Sequence, residues 1–559
     1  MEQNAPTPTA SHPLQSPLLA SARRSLYFPD SYSSDAALRR GGITALGILA
    51  PRRQRLREGI MDNGGGFPFM RKLETHTSCV NAITFSRGNG RFLASGGDDL
   101  RICLWDFHQE DVKTPSFTMR GPRGNVFCLE FSATNRYIYS AGLCETIYKY
   151  DISSLGLPEA AASTNNRYPD HTYRDHQDSI RALTCHPVQD EVFMSVSEDG
   201  TIRRFDGRQP SKRTATNDII QTENEVTGVQ YHPTVDHLFA TSDGAGRVFL
   251  RDTRMAFGPL TKRSNEGIVQ RYNTKLTKKS TARLSNPETS SITFDRDGSR
   301  LAVTFLHYLP TIYALSDPNP VAVLSGKNLP DGTPNPPGQR TYSNSCTMKH
   351  GSFGGPGVDA DDMYAGGSDD FRCYIWKIPP LQQLVDKRRV FSADDWTSFG
   401  EENTIAFTES RQHPKVVPVE ISTPFCRLTG HKSIVNTTVF HPHLLHIATA
   451  GIEKNVILHS PTPSSPCTQN LDSSPVTVRK LLGDEDDKDR ENYYAAMLGL
   501  IPADSENDQN ERQTLSFFDH ILREEGNADV FAQRPWKSPD VSDEEEDQDS
   551  DSDADDLSR

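Results

Sequence analysis

Apolar and polar positions alternate along this chain over short stretches, and the alternation breaks and restarts in a segment that recurs about seven times. The clearest copy runs from His76 to Trp105. It opens with a His and the stretch Val80-Asn81-Ala82-Ile83-Thr84-Phe85. A second stretch, Phe92-Leu93-Ala94-Ser95-Gly96-Gly97, is followed by an acidic pair, Asp98-Asp99. It closes on Ile102-Cys103-Leu104-Trp105-Asp106. Alternation with a period of two predicts half-buried strands, and the Gly and Asp between them predict tight turns. A repeat made of short strands that ends in a Trp-Asp-like pair predicts a β-propeller blade.

The other copies carry the same marks with erosion. They end at Tyr150-Asp151, Phe205-Asp206, Arg251-Asp252, Tyr313, Trp376 and His459. The fifth is the most degenerate, with Ser291 to Phe294, Leu301 to Phe305 and Thr311-Ile312-Tyr313. The pair His-Pro recurs just after the first strand of three copies, at His186-Pro187, His232-Pro233 and His441-Pro442. Proline cannot donate to a strand ladder, so each pair reads as a strand stop. Within copies, Ser95, Asp99 and Trp105 share their spacing with Ser195, Asp199 and Phe205, and with Thr449, Glu453 and His459. Together with His76, His176 and His431 they predict a buried chain of acid, imidazole, hydroxyl and ring that fixes the blade turns, a structural role and not a catalytic one. The fold class expected is all-β, a seven-bladed WD-repeat propeller with disordered N- and C-terminal tails.

Composition sets the limits of that propeller. Residues 1–66 are rich in Ser, Pro, Ala and Arg and read as a disordered arm, with one basic stretch around Arg52, Arg53, Arg55 and Arg57 that could form a short helix. The propeller is expected over 67–462, with blades at about 73–107, 119–152, 173–208, 218–254, 286–315, 341–378 and 426–460. Residues 463–559 read as a mostly disordered acidic tail with short helices near 490–501 and 514–525, the second presenting Leu515, Phe518, Ile521 and Leu522 on one face. Ser542, Ser550 and Ser552 lie among acids and suit an acid-directed kinase. Insertions at 255–285 (basic) and 379–425 (with Trp396 and Phe399) are expected to form long loops on the rigid disc.

The chain carries 60 Lys and Arg against 74 Asp and Glu, a formal net charge of -14, which argues against a global field for direct nucleic-acid binding. Its nine Cys are scattered without a Cys-x-x-Cys pair and read as reduced thiols. No run reaches the roughly 18 apolar residues of a membrane span, and the start lacks a secretory core. An Arg- and Ser-containing, acid-poor beginning imitates a mitochondrial transit peptide, but its prolines leave no clean amphipathic helix. The expected location is nucleus or cytoplasm. No phosphate-cradling loop, nucleophile elbow or metal spacing is present, so no enzyme activity, cofactor or metal is expected.

One local motif stands apart. Phe205-Asp206-Gly207-Arg208 and Arg251-Asp252-Thr253-Arg254 each place an Arg three residues after the Trp position, in neighbouring copies. Both Arg would project from the same rim of the disc and could grip carboxylates or carbonyls of a flat partner. Alternatively, they would serve only as blade-to-blade ion pairs with Asp206 or Asp252.

Beyond the generic repeat, several strings are specific. They are Tyr342-Ser343-Asn344-Ser345-Cys346-Thr347-Met348-Lys349, Gly367-Ser368-Asp369-Asp370-Phe371, Ile375-Trp376-Lys377-Ile378-Pro379, Leu428 to Asn436, Gly451-Ile452-Glu453-Lys454, and Leu515 to Arg523. With Cys79 to Ile83 and Ser95 to Asp99, they resemble the WD-repeat substrate receptors of the cullin-4 RING ubiquitin ligase. The resemblance implies a non-catalytic receptor that docks a target protein through the adaptor damaged-DNA-binding protein 1. By that match Arg208 and Arg254 would touch the adaptor, Asp206 and Asp252 would hold their loops, and Arg52, Arg53 and Arg55 would form a second contact. Arg251 departs from the family's aromatic and implies a reshaped edge on the fourth blade. The alternative is a WD-repeat scaffold of a nuclear or chromatin-associated complex with no ligase link.

Overall fold

A computed structural model describes residues 55–62, 65–155, 166–208, 216–356, 361–481, 486–498, 507–526 and 529–531. Among the described residues seven mainly antiparallel sheets form the blades of a propeller, and an eighth sheet lies at its side. The innermost strands are Val80–Phe85, Val126–Phe131, Ile180–Cys185, Val226–Tyr231, Thr289–Phe294, Ser352–Gly354 and Val435–Phe440, here blades 1 to 7. Each packs against the next and the last returns to the first, which closes the ring.

The period-two alternation becomes blade packing. In blade 1, Leu93, Cys103 and Trp105 join Val80 and Phe85 in a cluster that also takes Ala448, Val456 and Leu458 from blade 7. The opposite face of the same sheet, through Ala94, Ile102 and Leu104, packs on Val126 and Ile138 of blade 2. Both faces of each sheet are therefore buried, and the core runs as a ring between the blades.

The sequence repeat and the structural blade are out of step by one strand. Phe69–Glu74 pairs antiparallel with Asn455–Ser460, in register Phe69↔Ser460 to Glu74↔Asn455, and so belongs to blade 7, not blade 1. Likewise Phe117–Arg120 is the outer strand of blade 1 and Ile219–Gln221 that of blade 3. The expected limits of blades 1, 2, 3, 4 and 7 therefore reach back to the outer strand of the preceding blade, whereas those of blades 5 and 6 do not. Ring closure explains the offset, since an edge strand left unpaired is a liability and the chain's two ends remove it together.

A second correction concerns the tails. Residues 55–62 are helical and 65–74 are ordered within and beyond the expected arm. At the other end 463–481 are described, and Asp472–Ser473 adds to Phe69–Met70 as a fifth strand of blade 7. The tail helices span Asp486–Met497 and Asn507–Glu525, both starting earlier than the sequence suggests. The acidic run with Ser542, Ser550 and Ser552 lies outside the described residues.

The two insertions meet. Leu276–Lys278 and Thr281–Ser285 from one, with Arg389–Phe391, Ile405–Phe407 and Lys415–Val417 from the other, form the side sheet. Trp396 is buried there with Ala406 and Val417. Val419–Ile421 then adds parallel to Pro320–Leu324 of blade 5.

Candidate functional site on the rim of blades 3 and 4

Strand direction assigns the faces. The first and third strands of a blade run the same way, so their C-terminal ends open on one face, called lower here. The turns between second and third strands, and the entries to each first strand, open on the upper face.

The polar chains sit toward the upper face. His76 Nδ1 lies 3.0 Å from an Asp99 oxygen, its Nε2 lies 2.8 Å from Ser95 Oγ, and Trp105 Nε1 donates to the same hydroxyl at 3.0 Å. In blade 3, His176 joins Asp199 at 2.9 Å and Ser195 at 2.6 Å. In blade 7, His431 joins Glu453, and lies 2.7 Å from Thr449, which meets His459 at 3.0 Å. Burial disfavours the His76 cation, but the bond to Asp99 outweighs it and pushes the pKa up to about 9. These groups are enclosed and bonded to one another within each blade. Among the described residues no group of His, Cys, Asp and Glu could hold a metal ion.

The lower face carries the rim motif. The third strand of blade 3 ends at Asp206 and that of blade 4 at Asp252. Each carboxylate accepts from the backbone N–H two residues on, Arg208 at 3.1 Å and Arg254 at 2.8 Å. This local turn is the reason an Asp stands there. Asp106 and Asp151 make the same turn to His108 and Ser153, so the Arg is what distinguishes blades 3 and 4. The same carboxylates grip the guanidinium. Arg208 donates through Nε at 2.8 Å and Nη2 at 2.7 Å, and Arg254 through Nε at 3.0 Å and Nη2 at 2.6 Å. The ion pairs are thus within one turn, not between blades. The side chains stay 58% and 68% exposed. The hydrogen bonds to Asp206 and Asp252 raise both guanidinium pKa values further. Two forks of one geometry, each pre-oriented along one edge, are offered on adjacent blades.

Arg251 occupies the Trp position, and the pairing with the outer strand Ile268–Tyr272 shifts register there, between Leu250 and Arg251. Arg251 is 2% exposed, and its Nε donates to Thr241 Oγ1 at 3.0 Å, as Trp105 Nε1 donates to Ser95. Its Nη1 donates to the Glu266 carbonyl at 2.7 Å, and Glu266 also supplies a carboxylate at 3.3 Å. Burial lowers the Arg251 pKa and the Glu266 charge opposes that shift. The equivalence of an indole N–H and a guanidinium N–H is not visible in an alignment of residue types, which is why sequence reasoning missed it.

The other predicted contacts divide. Arg52 and Arg53 lie outside the described residues. Arg55 is exposed on the helix 55–62. That helix meets blade 6 on the lower face. Arg57 Nη2 reaches the Gly355 carbonyl at 3.5 Å just past the first strand, and Lys377 Nζ at the end of the third strand donates to Asp62 at 2.9 Å. The helix and the two forks share one face but occupy different arcs of it.

The upper face holds a pocket that sequence reasoning did not name. In six blades the inner strand carries a register shift near its start. The displaced residues are Asn81, Phe127, Arg181, Thr227, Ser290 and Asn436, and all six line a cavity of about 280 Å³ at the channel mouth. A bulge turns a side chain out of the pleat, here into the channel. Phe518 of the second tail helix forms one wall.

Comparison with known proteins agrees with this geometry. The WD domain, G-beta repeat family matches residues 67–106, 113–151 and 167–206. The mouse and human DDB1- and CUL4-associated factor 5 are each 27% identical over 465 residues, 82% of this chain. The match spans 40% of the mouse relative and 41% of the human one, so the chain covers under half of their length. Mouse DDB1- and CUL4-associated factor 6 is 27% identical over 246 residues, 42% of this chain and 26% of that protein. The chain folds as a β-propeller, matches the WD domain, G-beta repeat family within residues 67–206, and is similar over 82% of its length to DDB1- and CUL4-associated factor 5.

Proposed function

We propose that this protein is a non-catalytic substrate receptor that docks a target protein onto a cullin-4 RING ubiquitin ligase through the damaged-DNA-binding protein 1 adaptor, in the nucleus or cytoplasm. The observation that carries the reading is the repeated fork: Arg208 and Arg254, held alike by Asp206 and Asp252 on adjacent blades and exposed toward one face. A partner carboxylate or carbonyl meeting a guanidinium already oriented by its own carboxylate forgoes part of the ordering cost of a long side chain. The helix 55–62, opening on the same face, is a second contact in this reading, with Arg55 on its surface. Two relatives whose names associate them with DDB1 and CUL4 support it.

The test is affinity purification of the full-length protein beside Arg208→Ala/Arg254→Ala. Wild type should retain the adaptor and cullin, and the double variant should retain at least about tenfold less, consistent with loss of two charge-assisted contacts. Its melting temperature should hold, since both side chains are exposed. If neither form retains the adaptor while other proteins co-purify, the chain is a scaffold without a ligase link.

A further inference from the structure

The second tail helix, Asn507–Glu525, lies between two surfaces. Asn492 Nδ2 of the first tail helix donates to Ser516 Oγ at 2.9 Å, and Tyr493 stacks on Phe517 with centroids 5.0 Å apart. The other surface is the upper face of the propeller. Leu522, 2% exposed, inserts among Cys79 of blade 1, Phe371 of blade 6, and Ile434 and Ile452 of blade 7, with Phe518 beside it. Asp519 takes both edges of Arg479, at 2.6 and 2.7 Å. Glu511 pairs with Lys432 at 3.4 Å and Lys454 at 3.2 Å. Beyond the helix, Val530 and Phe531 pack with Leu276, Val323 and Phe407 at the side sheet, and Ser285 Oγ donates to the Val530 carbonyl at 2.7 Å. The segment therefore crosses the upper face from blade 7 to blade 5, and Phe518 borders the channel pocket on the way.

We propose that the helix Asn507–Glu525 is a cis-acting strap occupying a docking surface for amphipathic helices, and that a target protein engages this face by displacing it with a helix of the same chemistry. That chemistry is fixed by the surface: two apolar side chains one turn apart, as Phe518 and Leu522, and acids placed to meet Arg479 and the Lys432–Lys454 pair, as Asp519 and Glu511. A helix with an apolar stripe laid into a groove is a recurrent way to recognise a protein segment. The strap's ion pairs are only partly buried and each contributes modestly, so its hold is one that a better-matched helix overcomes. The naming of the displacing helix as a substrate's rests on the receptor reading above; the occupancy and displacement do not.

The probe is a fluorescein-labelled synthetic peptide of residues 507–531, titrated by anisotropy against the full chain. An intramolecular strap lowers the apparent affinity for the peptide by the fraction of surface it leaves open. Wild type should bind the peptide at least about tenfold more weakly than Asp519→Arg/Leu522→Asp, whose own strap is released. Hydrogen exchange read alongside should show 507–525 protected in wild type, unprotected in the variant, and the blades alike in both. Arg479→Asp should lose the wild-type peptide and bind a peptide carrying Asp519→Arg. Equal binding to wild type and variant overturns the proposal, as does no binding to a variant whose tail exchange shows it released. Adaptor retention is not read in this assay, so failure of the ligase reading leaves its outcome intact.

Discussion

At the residue scale, blades 1, 4 and 7 share a bond and not a residue. The hydroxyl of the second strand receives an N–H from Trp105 in blade 1 and from Arg251 in blade 4, and shares a hydrogen bond with the ring of His459 in blade 7. Removing that donor leaves a buried hydroxyl without its partner. Arg251→Met should therefore cost about 1–3 kcal/mol of stability, from the unpaired Thr241 hydroxyl and Glu266 carbonyl. Adding Thr241→Val should recover part of it, since both partners of the bond are then gone. Urea melts of the two variants check this; a loss that simply adds would mean that the bond is not the cause. The His-Pro pairs have a similar local logic. Nδ1 of His186, His232 and His441 each accepts two backbone N–H groups, from the residues two and three further on. The imidazole must be neutral to do so, and burial depresses all three pKa values. His232 Nε2 also meets the Gly298 carbonyl at 3.1 Å, and a Cβ on Gly298 would fall 2.1 Å from that nitrogen. Gly298 adopts φ +78°, so any side chain there is strained twice over.

At the element scale, the strand Phe69–Glu74 decides whether the ring closes. It covers the edge of Asn455–Ser460, and Leu73 is fully buried in the core shared by blades 7 and 1. Leu73→Ala should cost about 2–5 kcal/mol, the usual loss for truncating a fully buried Leu. Deletion of residues 1–75 should do more, leaving a long, apolar, unpaired edge that recruits other chains. Light scattering on the deleted chain, beside a chain lacking only 1–54, separates closure from the rest of the N-terminal arm. If both scatter alike, the strand is not what protects that edge. The same scale explains the insertions. Neither 273–285 nor 389–417 holds enough apolar surface for a domain, but paired edge to edge they bury Leu276, Phe407 and Trp396.

At the scale of the whole molecule, the buried histidines set the response to pH. Burial lowers His350 and His446 to about 4 and His459 to about 3. Such groups bind a proton in the unfolded chain first, so stability is intact above about 6.5 and falls as pH drops toward 4. His76 has the opposite sign. Its folded pKa is about 9, so its contribution is complete below about 6.5 and is lost as pH rises through 9. The melting temperature should therefore peak near neutral pH and fall on both sides. His446→Gln should flatten the acid arm and His76→Gln the alkaline arm, each lowering the maximum. A profile whose alkaline arm is unchanged in His76→Gln would assign that arm elsewhere. The Arg forks on the lower face and the strap on the upper face lie at opposite ends of the blades, so the two contacts proposed for them do not compete for one surface.

The strands, the turns and the polar chains are legible in the residue order alone, because each depends on residues close along the chain: period-two burial, an Asx turn at Asp206, a His placed to meet Ser195 and Asp199. The residue order also singled out Arg208 and Arg254, whose geometry is set within three residues of the third strand's end. It takes the folded chain to see that blade 7 is completed by Phe69–Glu74, that Arg251 takes a tryptophan's place, and that two distant insertions share one sheet. The fold alone brought six bulge residues to one channel mouth and laid the helix 507–525 across it. Except at Arg251, whose partners Thr241 and Glu266 lie 10 and 15 residues away, those outcomes depend on ring closure and on pairings between segments far apart in the chain, which no local periodicity encodes.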